Sequence, residues 1–417
     1  MRSRTRLTIA AVALATATCG PNGPVTGPVI TALPRDLTAA EQRLIQADNR
    51  LAIKLLRQTA ADTRASHTNL FISPLSVAMA LAMTYNGAAG TTEAAMRATL
   101  ELEGITTPEV NAAYRSLIDL LRGLDPRVRF QIANSIWYRH DFTVESAFLD
   151  VNRTAYDARV EALDFRSPAA SRTINDWVRD ETNGLIPEIV ETPLPDWALM
   201  YVINAIYFKG DWTQQFDKRR TAPQPFDLAD GSTVSVSMMT HGAEADVRQG
   251  WDPAVQVLDL PYGGRAFTMT IVMPRDAAGI DALLAGLTLD QWDGWVADLD
   301  SSASEVFLPK FKLTNDLLLN STLTALGMAP AFDCDPPETA DFSRMTPDDV
   351  CITRVKHKTY VDVNEEGTTA AAVTAVEIGP TSAPMPIVID RPFLFAIREN
   401  LSGTIVFLGV MRNPAAE

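Results

Sequence analysis

The segment 364–386 reads NEEGTTAAAVTAVEIGPTSAPMP, and small residues dominate it, with no Lys or Arg between Lys358 and Arg391. An Ala-rich helix or a linker is one interpretation, although its β-branched residues disfavour a helix. Alternation supports another interpretation, because one face of an extended strand would carry Thr368, Ala370, Ala372, Thr374, Val376 and Ile378. No partner hairpin is evident, and three prolines follow. We interpret the segment as an exposed loop that is able to become a strand.

Strand patterns surround this segment. Residues 198–208 (ALMYVINAIYF) are apolar on both faces, which predicts a central strand covered on both sides. Residues 128–138 and 267–273 alternate between apolar and polar or small residues, as half-buried strands do. Alternate residues from Val355 to Val363, including His357, share one face of a further strand. Residues 387–398 and 404–411 predict strands near the carboxyl end.

Helical patterns occur mainly in the first part of the chain. Apolar residues recur at helical spacing in 44–55, 75–85, 93–100 and 110–121, and residues 315–326 predict a helix that ends at Gly327. No linker-like segment interrupts the chain before residues 379–386. Helices followed by concentrated strands predict a single α+β domain, which we place at residues 41–417.

The first 19 residues have the pattern of a signal peptide. Arg2, Arg4 and Arg6 precede an apolar run that is too short to span a bilayer. The run ends in ATATC at 15–19, which resembles a bacterial lipoprotein cleavage box, so Cys19 is a candidate for lipidation; ordinary export with removal of Cys19 is the alternative. Residues 20–40, rich in Gly, Pro and Thr, are expected to form a flexible tether. The chain is therefore expected to be exported, and to be secreted, periplasmic or held at the cell envelope by a lipid.

Two cysteines remain once Cys19 is set aside. An exported chain meets an oxidising compartment, where Cys334 and Cys351 are candidates for a disulfide. Closing a loop of this length would contribute ~3 kcal/mol in the chain-entropy model. Two free thiols are the alternative.

Composition and motifs exclude several classes of function. With a net charge of −15, the chain is a poor match for nucleic acid or for an anionic membrane surface, so membrane attachment is expected only through a lipid. The four histidines are far apart in the sequence, and neither a metal site nor a cofactor is expected. The nucleophile elbow, the phosphate-binding loop, the dinucleotide fingerprint and the zinc-protease motif are absent. An enzyme is not expected.

A set of motifs, in order along the chain, resembles the serpin family from residue 41 to residue 414. The matching segments are 69–76 (NLFISPLS), 174–177 (INDW), 182–186 (TNGLI), 204–212 (NAIYFKGDW), 308–311 (LPKF), 365–368 (EEGT), 391–395 (RPFLF) and 409–414 (GVMRNP). One such match would be weak evidence for the family, but this many matches at the spacing of the family make the resemblance specific. The resemblance implies helices packed on a large central mixed or antiparallel sheet, with further sheets and an exposed reactive loop, here residues 365–391.

The resemblance also implies a function and a set of site residues. The expected function is inhibition of serine endopeptidases as a suicide substrate, with the cut loop inserting into the main sheet. The loop hinge would be Glu365, Glu366, Gly367, Thr368, Thr369, Ala370, Ala371 and Ala372. Ser73, Ser76, Asn204 and His357 match the "shutter", where the central strands part, and Trp212 matches the "breach", where insertion begins. A non-inhibitory binding or carrier protein is the alternative.

Two counts place the reactive bond between Thr381 and Ser382. Thr381 is the fourteenth residue after Gly367, and Ser382 is the tenth residue before Pro392. A small residue before the bond, in a loop without Lys, Arg or aromatic residues, predicts elastase-like or subtilisin-like targets. Some cysteine proteases are further candidate targets. We expect a monomer that needs no heparin-type cofactor.

Overall fold

A computed structural model describes residues 28–63, 68–242, 244–335, 339–368 and 385–416. Its first six helices precede residue 182, and shorter helices follow. The helices are α1 (Ala39–Asp62), α2 (Pro74–Tyr85), α3 (Gly90–Thr99), α4 (Thr107–Leu121), α5 (Ser146–Tyr156), α6 (Pro168–Glu181), α7 (Ile280–Gly286), α8 (Leu289–Ala297) and α9 (Asn320–Leu323).

The strands of the described residues form three sheets. In chain order they are β1 (Leu70–Ile72), β2 (Val128–Arg139), β3 (Arg159–Leu163), β4 (Met200–Asp211), β5 (Ala222–Asp227), β6 (Thr233–Thr240), β7 (Ala245–Trp251), β8 (Val255–Tyr262), β9 (Phe267–Pro274), β10 (Asp300–Ser304), β11 (Val306–Pro309), β12 (Phe311–Leu318), β13 (Lys356–Asn364), β14 (Gly367–Thr368), β15 (Ile387–Val388), β16 (Phe393–Glu399) and β17 (Ile405–Met411). The sheet orders are β12-β13-β14-β4-β2-β3, β1-β17-β16-β9-β8-β7-β10 and β15-β11-β6-β5.

The six-stranded sheet positions the candidate site. β2 and β4 pair antiparallel from Val128–Gly210 to Tyr138–Met200, and β12 pairs antiparallel with β13 along its whole length. Only the edge strand β3 runs parallel to its neighbour. The architecture is therefore a single α+β domain built on a large, mainly antiparallel sheet.

Two hydrophobic cores lie on opposite faces of this sheet. The larger contains residues of α1 and α2 and of the seven-stranded sheet, and the smaller lies under α6, around Trp137, Ile174 and Trp177. β4 contributes Phe208 to the larger core and Ile203 to the smaller one. Burial on both sides explains why residues 198–208 are apolar at successive positions.

Two expectations need correction. The helix predicted for 315–326 is wrong in its first part: residues 315–318 belong to β12, and the helix begins at Asn320. Pairing with β13 overrides the local helical preference, and Asn315 Oδ1 accepts a hydrogen bond from Phe71 N at 2.7 Å.

The second half of the expected tether, residues 20–40, also differs from the prediction of a flexible segment. Ile30 N donates to Gly264 O at 2.8 Å, and Thr38 and Glu41 form a capping box that starts α1 at Ala39. Residues 28–40 therefore lie against the domain. Residues 1–27, with the proposed signal and Cys19, fall outside the described residues. No helix in the described ranges is both long enough and apolar enough to cross a membrane.

Candidate functional site

A gap separates two neighbouring strands of the six-stranded sheet. β4 and β13 run in the same direction and are joined at one end by β14, which pairs antiparallel with both. Beyond β14, the described residues show no pairing between β4 and β13. A cavity of about 420 Å³ lies between the two strands, with α2 below it and the segment that follows α6 above it. An additional strand, antiparallel to both β4 and β13, would fit in this space.

The hinge residues that the structure describes occupy the upper end of this gap. Gly367 lies opposite Asp211 and Asn364, and Thr368 lies opposite Gly210 and Val363. Gly367 has φ +150°, and a Cβ there would lie 2.2 Å from Gly210 O. Only glycine fits this close approach of two backbones. Thr369, Ala370, Ala371 and Ala372 lie outside the described residues.

Trp212 holds the hinge at the breach. Its Nε1 donates to Asn364 O at 2.9 Å, and its ring stacks on Tyr262 with centroids 4.4 Å apart. The Tyr262 hydroxyl lies 3.0 Å from Thr368 Oγ1 in a buried contact. The aromatic pair therefore packs against the chain between Asn364 and Thr368.

Two buried acidic residues anchor the chain immediately before the hinge. Glu365 accepts hydrogen bonds from Lys310 Nζ at 3.0 Å and from Thr221 Oγ1 at 2.8 Å, and Glu366 pairs with Lys218. Burial alone would raise the pKa of Glu365, but hydrogen bonds from its own backbone, Lys310 and Thr221 outweigh burial and lower it. The hinge thus starts from a fixed, charge-paired turn.

The shutter residues meet beneath the gap. His357 Nε2 accepts the N–H of Ser73 at 2.9 Å, and Ser73 Oγ donates to Val406 O at 2.9 Å. Ser76 Oγ donates to Asn204 O at 3.3 Å, and Asn204 Nδ2 donates to Asn134 Oδ1 at 2.7 Å. The start of α2 is therefore bonded to both strands that border the gap.

Histidine 357 works as a neutral acceptor in this arrangement. Burial lowers its pKa to about 4, so the ring is uncharged at neutral pH. Nε2 must then lack a proton in order to accept the Ser73 N–H. One carboxamide atom at the shutter, Asn204 Oδ1, is buried without a hydrogen-bond partner among the described residues.

The lower end of the gap is bridged by side chains. Arg354, just before β13, donates to Glu191 Oε1 at 2.8 Å. Its guanidinium also lies 4.9 Å from the ring centre of Trp197, just before β4. The segment that carries Glu191 is clamped onto α6 by Asn175, whose Oδ1 accepts from Ile189 N at 2.9 Å and Val190 N at 3.0 Å. We call Arg354, Glu191 and Trp197 the clasp.

Cys334 and Cys351 form a disulfide in the structure, with Cα atoms 5.3 Å apart. The bond lies near the lower end of the gap, because Cys351 precedes β13. Together with the bond from Ile352 N to Ala331 O at 2.9 Å, it ties the start of β13 to the helical turns after β12. The disulfide and this hydrogen bond therefore fix the connection between β12 and β13 to itself just before β13 begins.

The site also contains residues that the sequence did not predict. Asn134 carried a usable signal, since it is a polar residue in an apolar strand and lies opposite Asn204. Tyr262, Lys218 and the clasp carried none, because distant segments bring them to the gap. Thr381 and Ser382, the expected reactive bond, lie outside the described residues. Among the described residues, no group of three or more metal-binding side chains could hold a metal ion.

The chain resembles known protease inhibitors in sequence. The family model described as "Serpin (serine protease inhibitor)" matches residues 46–414. The chain is 34% identical to human leukocyte elastase inhibitor over 386 residues, covering 89% of this chain and 100% of that protein. It is 32% identical to Iripin-2 of Ixodes ricinus over 376 residues, covering 88% of this chain and 93% of that protein.

Solved structures show the same likeness. A thermophilic serpin, Tengpin, in its native state aligns with a TM-score of 0.80 at 28% identity, covering 93% of this chain and 97% of that chain. Human thyroxine-binding globulin, solved in complex with thyroxine, also aligns with a TM-score of 0.80, at 27% identity, covering 91% of this chain and 100% of that chain.

Proposed function

Since this chain belongs to the serpin family, we propose that it inhibits serine proteases as a suicide substrate whose cut loop fills the gap between β4 and β13. One observation carries the proposal: a strand-shaped gap in which Gly367 and Thr368 are already paired with both neighbours. Continued pairing along the same line would complete the sheet.

The expected chemistry follows from acyl transfer. The serine of the target attacks the carbonyl of the reactive bond, and the bond to the next nitrogen breaks, which leaves an acyl-enzyme. Insertion then competes with hydrolysis by water. The 14 residues 368–381 span roughly 46 Å when extended at ~3.3 Å per residue. A protease carried over such a distance is distorted, and loss of one oxyanion-hole donor alone slows deacylation by ~10²–10³.

The observed register supports insertion of this particular sequence. An inserted loop that kept this register for six residues past Thr368 would bring Thr374 opposite both Asn204 and His357. A threonine hydroxyl there would be able to donate to the unpartnered Asn204 Oδ1. The alternate residues from Thr368 to Ile378 would share the face of the buried residues of β13, such as Val361 and Val363.

We propose Thr381–Ser382 as the reactive bond and elastase-like or subtilisin-like enzymes as targets. Leukocyte elastase inhibitor is among the relatives, and a small residue before the bond suits a shallow specificity pocket. Cysteine proteases form a second target class, and we propose that the inhibitor is a monomer that acts without a heparin-type cofactor.

A carrier function is the second candidate, because human thyroxine-binding globulin has a similar structure. The hinge argues for inhibition. Residues 368–372 (TTAAA) contain no charged residue or proline, and their side chains are small enough to enter a crowded sheet.

We also propose that the protein is exported and that Cys19 carries a lipid. The basic start, the apolar run and the ATATC sequence at 15–19 support this, and a disulfide suits an oxidising compartment. Labelling with a radioactive fatty acid tests it: Cys19→Ala should lose the label, and an unlabelled wild-type protein would contradict lipidation.

The main test is a denaturing gel. Incubation with elastase, subtilisin and trypsin should give a complex that survives denaturant with at least one of the first two enzymes. Complete cleavage without any such complex would show a substrate and favour the carrier function.

A second experiment locates the bond. Mass spectrometry of the released carboxyl-terminal fragment should show a start at Ser382. Thr381→Arg should then redirect inhibition to trypsin-like enzymes, whose pocket holds a buried carboxylate. Ser382→Arg, which moves the cation past the bond, is the matched control. A fragment that starts elsewhere, or trypsin cleavage of Thr381→Arg without trapping, would contradict the assignment.

A further inference from the structure

A groove lies at the upper end of the six-stranded sheet, on the face that α6 covers further along the strands. Its rim is formed by residues 123–127, which connect α4 to β2, and its volume is about 510 Å³. Its floor carries Arg129 and Gln131 of β2 and Lys209 and Asp211 of β4. The groove is separate from the gap between β4 and β13, since it lies over β2 and β4.

The register of β2 and β4 brings two positive charges together on this floor. Arg129 lies directly opposite Lys209, a position in which Cβ atoms are about 4.5–5.5 Å apart and like charges destabilise a sheet. Asp211 is two residues further along β4 on the same face, ~6.6 Å from Lys209, and lies opposite Gly367 of the hinge. Two cations and one carboxylate therefore share a small area beside the hinge.

These three side chains form no hydrogen bond or ion pair with any residue that the structure describes. The guanidinium of Arg129 lies 5.4 Å from the ring centre of Tyr207, and Oδ1 of Asp211 is buried without a hydrogen-bond partner. Burial raises the pKa of Asp211, and the charge of Lys209 opposes only part of that rise. Buried polar atoms normally have a partner. The groove therefore lacks an anion for the two cations and a donor for the carboxylate.

The other polar residues of the groove do not supply these partners. Asp125 accepts hydrogen bonds from Gly264 N at 2.5 Å and Arg127 N at 3.0 Å, and Arg127 donates to Pro28 O at 3.4 Å. These bonds fix the rim to the main chain of neighbouring segments. The side chain of Gln131 forms no hydrogen bond within the described ranges, so its amide is a further unused group on the floor.

We propose that this groove binds a small molecule in which a carboxylate and an ammonium group are neighbours, as in an α-amino acid. The carboxylate lies between Arg129 and Lys209, within reach of the amide of Gln131, and the ammonium lies at Asp211. The three groups around the carboxylate supply N–H donors, and an ammonium donates to a carboxylate. A purely anionic ligand would satisfy the cations but would meet a like charge at Asp211. The inference goes beyond the proposed function and does not depend on it.

The expected affinity is modest, because charge contacts at an open groove are individually weak and the ligand is small. We expect a Kd of about 1 mM. A ligand at about ten times its Kd should raise the melting temperature of the uncut protein by about 1–3 °C.

The first experiment compares three probes by isothermal titration calorimetry with the uncut, full-length chain. Glycine carries both groups, acetate only the carboxylate and methylammonium only the ammonium. Glycine should bind at least about tenfold more tightly than either of the other two. Equal binding of glycine and acetate would overturn the role of Asp211. Inorganic phosphate that binds more tightly than glycine would overturn the ligand class and show a plain anion site.

The second experiment assigns the two ligand groups to their residues. Arg129→Gln and Lys209→Gln should each weaken the binding of both glycine and acetate by about tenfold. Asp211→Asn should weaken glycine to the level of acetate and leave acetate unchanged. Arg153→Gln, which removes an exposed cation on α5, is the control and should bind glycine like wild type.

Two results would contradict the assignment. Glycine binding that survives unchanged in Arg129→Gln would place the ligand elsewhere, and this variant is expected to fold because Arg129 is exposed. An equal loss of glycine and acetate binding in Asp211→Asn would mean that the carboxylate does not hold the ammonium. Melting curves without ligand, recorded for every variant, separate a lost site from a lost fold.

Discussion

The hydroxyl of Tyr262 lies 3.0 Å from the hydroxyl of Thr368, in a contact buried between two sheets. Tyr262 ends β8 of the seven-stranded sheet, and Thr368 is the last described residue of the hinge in the six-stranded sheet. Thr368 is therefore already paired in the sheet of the uncut protein. Substitutions at this position should impair trapping of the protease without impairing cleavage of the loop.

Thr368→Arg should abolish trapping while leaving cleavage intact. Thr368 is 4% exposed, and a charge in its place would cost several kcal/mol to bury without a partner. Thr368→Ser keeps the hydroxyl and is the control, expected to trap like wild type. Gels with an elastase-like enzyme distinguish complex from cut product. A Thr368→Arg variant that still forms complex would show that the insertion register is wrong.

Gly367→Ala should slow insertion and destabilise the uncut protein by about 1–3 kcal/mol, because its Cβ would meet Gly210 O at 2.2 Å. Gly104→Ala is a matched control: its φ of +77° also disfavours a side chain, but nothing lies within 4 Å of the added Cβ. Both variants carry the backbone strain, but only Gly367→Ala carries the clash. The difference between their losses in melting temperature therefore measures the clash. Equal losses in the two variants would refute the close approach as the reason for glycine.

Cutting the loop should raise the melting temperature sharply. An inserted strand would add about a dozen backbone hydrogen bonds on each of two edges, each worth ~1 kcal/mol net. Calorimetry of the protein before and after limited cleavage measures the change. An unchanged melting temperature would mean that the gap stays empty.

Asp48 should make stability fall as the pH rises from 4 to 7. Burial raises its pKa to about 7, and the hydrogen bond from the Tyr114 hydroxyl, at 2.7 Å, opposes part of that rise. The folded state thus keeps a proton that the unfolded state, with a pKa of ~3.9, releases over this range. Asp48→Asn cannot lose a proton. As the pH rises from 4 to 7, its melting temperature minus that of wild type should therefore increase. A constant difference across this range would contradict the prediction.

His357 should act in the opposite direction. Burial lowers its pKa to about 4, so between pH 6.5 and 4 the unfolded state binds a proton that the folded state excludes. The contribution of His357 to the stability of the uncut form should therefore be lost on acidification through this range, opposite in sign to the contribution of Asp48. Burial lowers the pKa of His241 to about 4 as well, so His357→Gln should remove part of the slope and the double variant with His241→Gln most of it. Melting curves that keep the full acid slope in the double variant would contradict this assignment.

The sequence predicted those parts of the molecule in which local pattern and burial agree. Residues 128–138 alternate and form β2, whereas the local pattern of residues 315–318 predicts a helix and these residues pair with β13 instead. A residue such as Asn204 was detectable because a polar group within an apolar strand requires a partner. Tyr262 and Arg354 were not detectable, because their roles depend on which distant segments fold beside them.

The gap gives the six-stranded sheet two additional edges in its interior. Along the gap, β4 and β13 have no strand partner among the described residues, and such strand edges are not selective for this chain's own loop, since backbone hydrogen bonds do not depend on sequence. An extended peptide of small residues, or the loop of a second molecule, would pair with the same edges. Protection against such partners depends on the segment after α6, which lies over the gap and which Asn175 holds in place. We therefore expect the gap also to admit a strand from a second copy of the chain, so heat or crowding that loosens this cover should promote self-association.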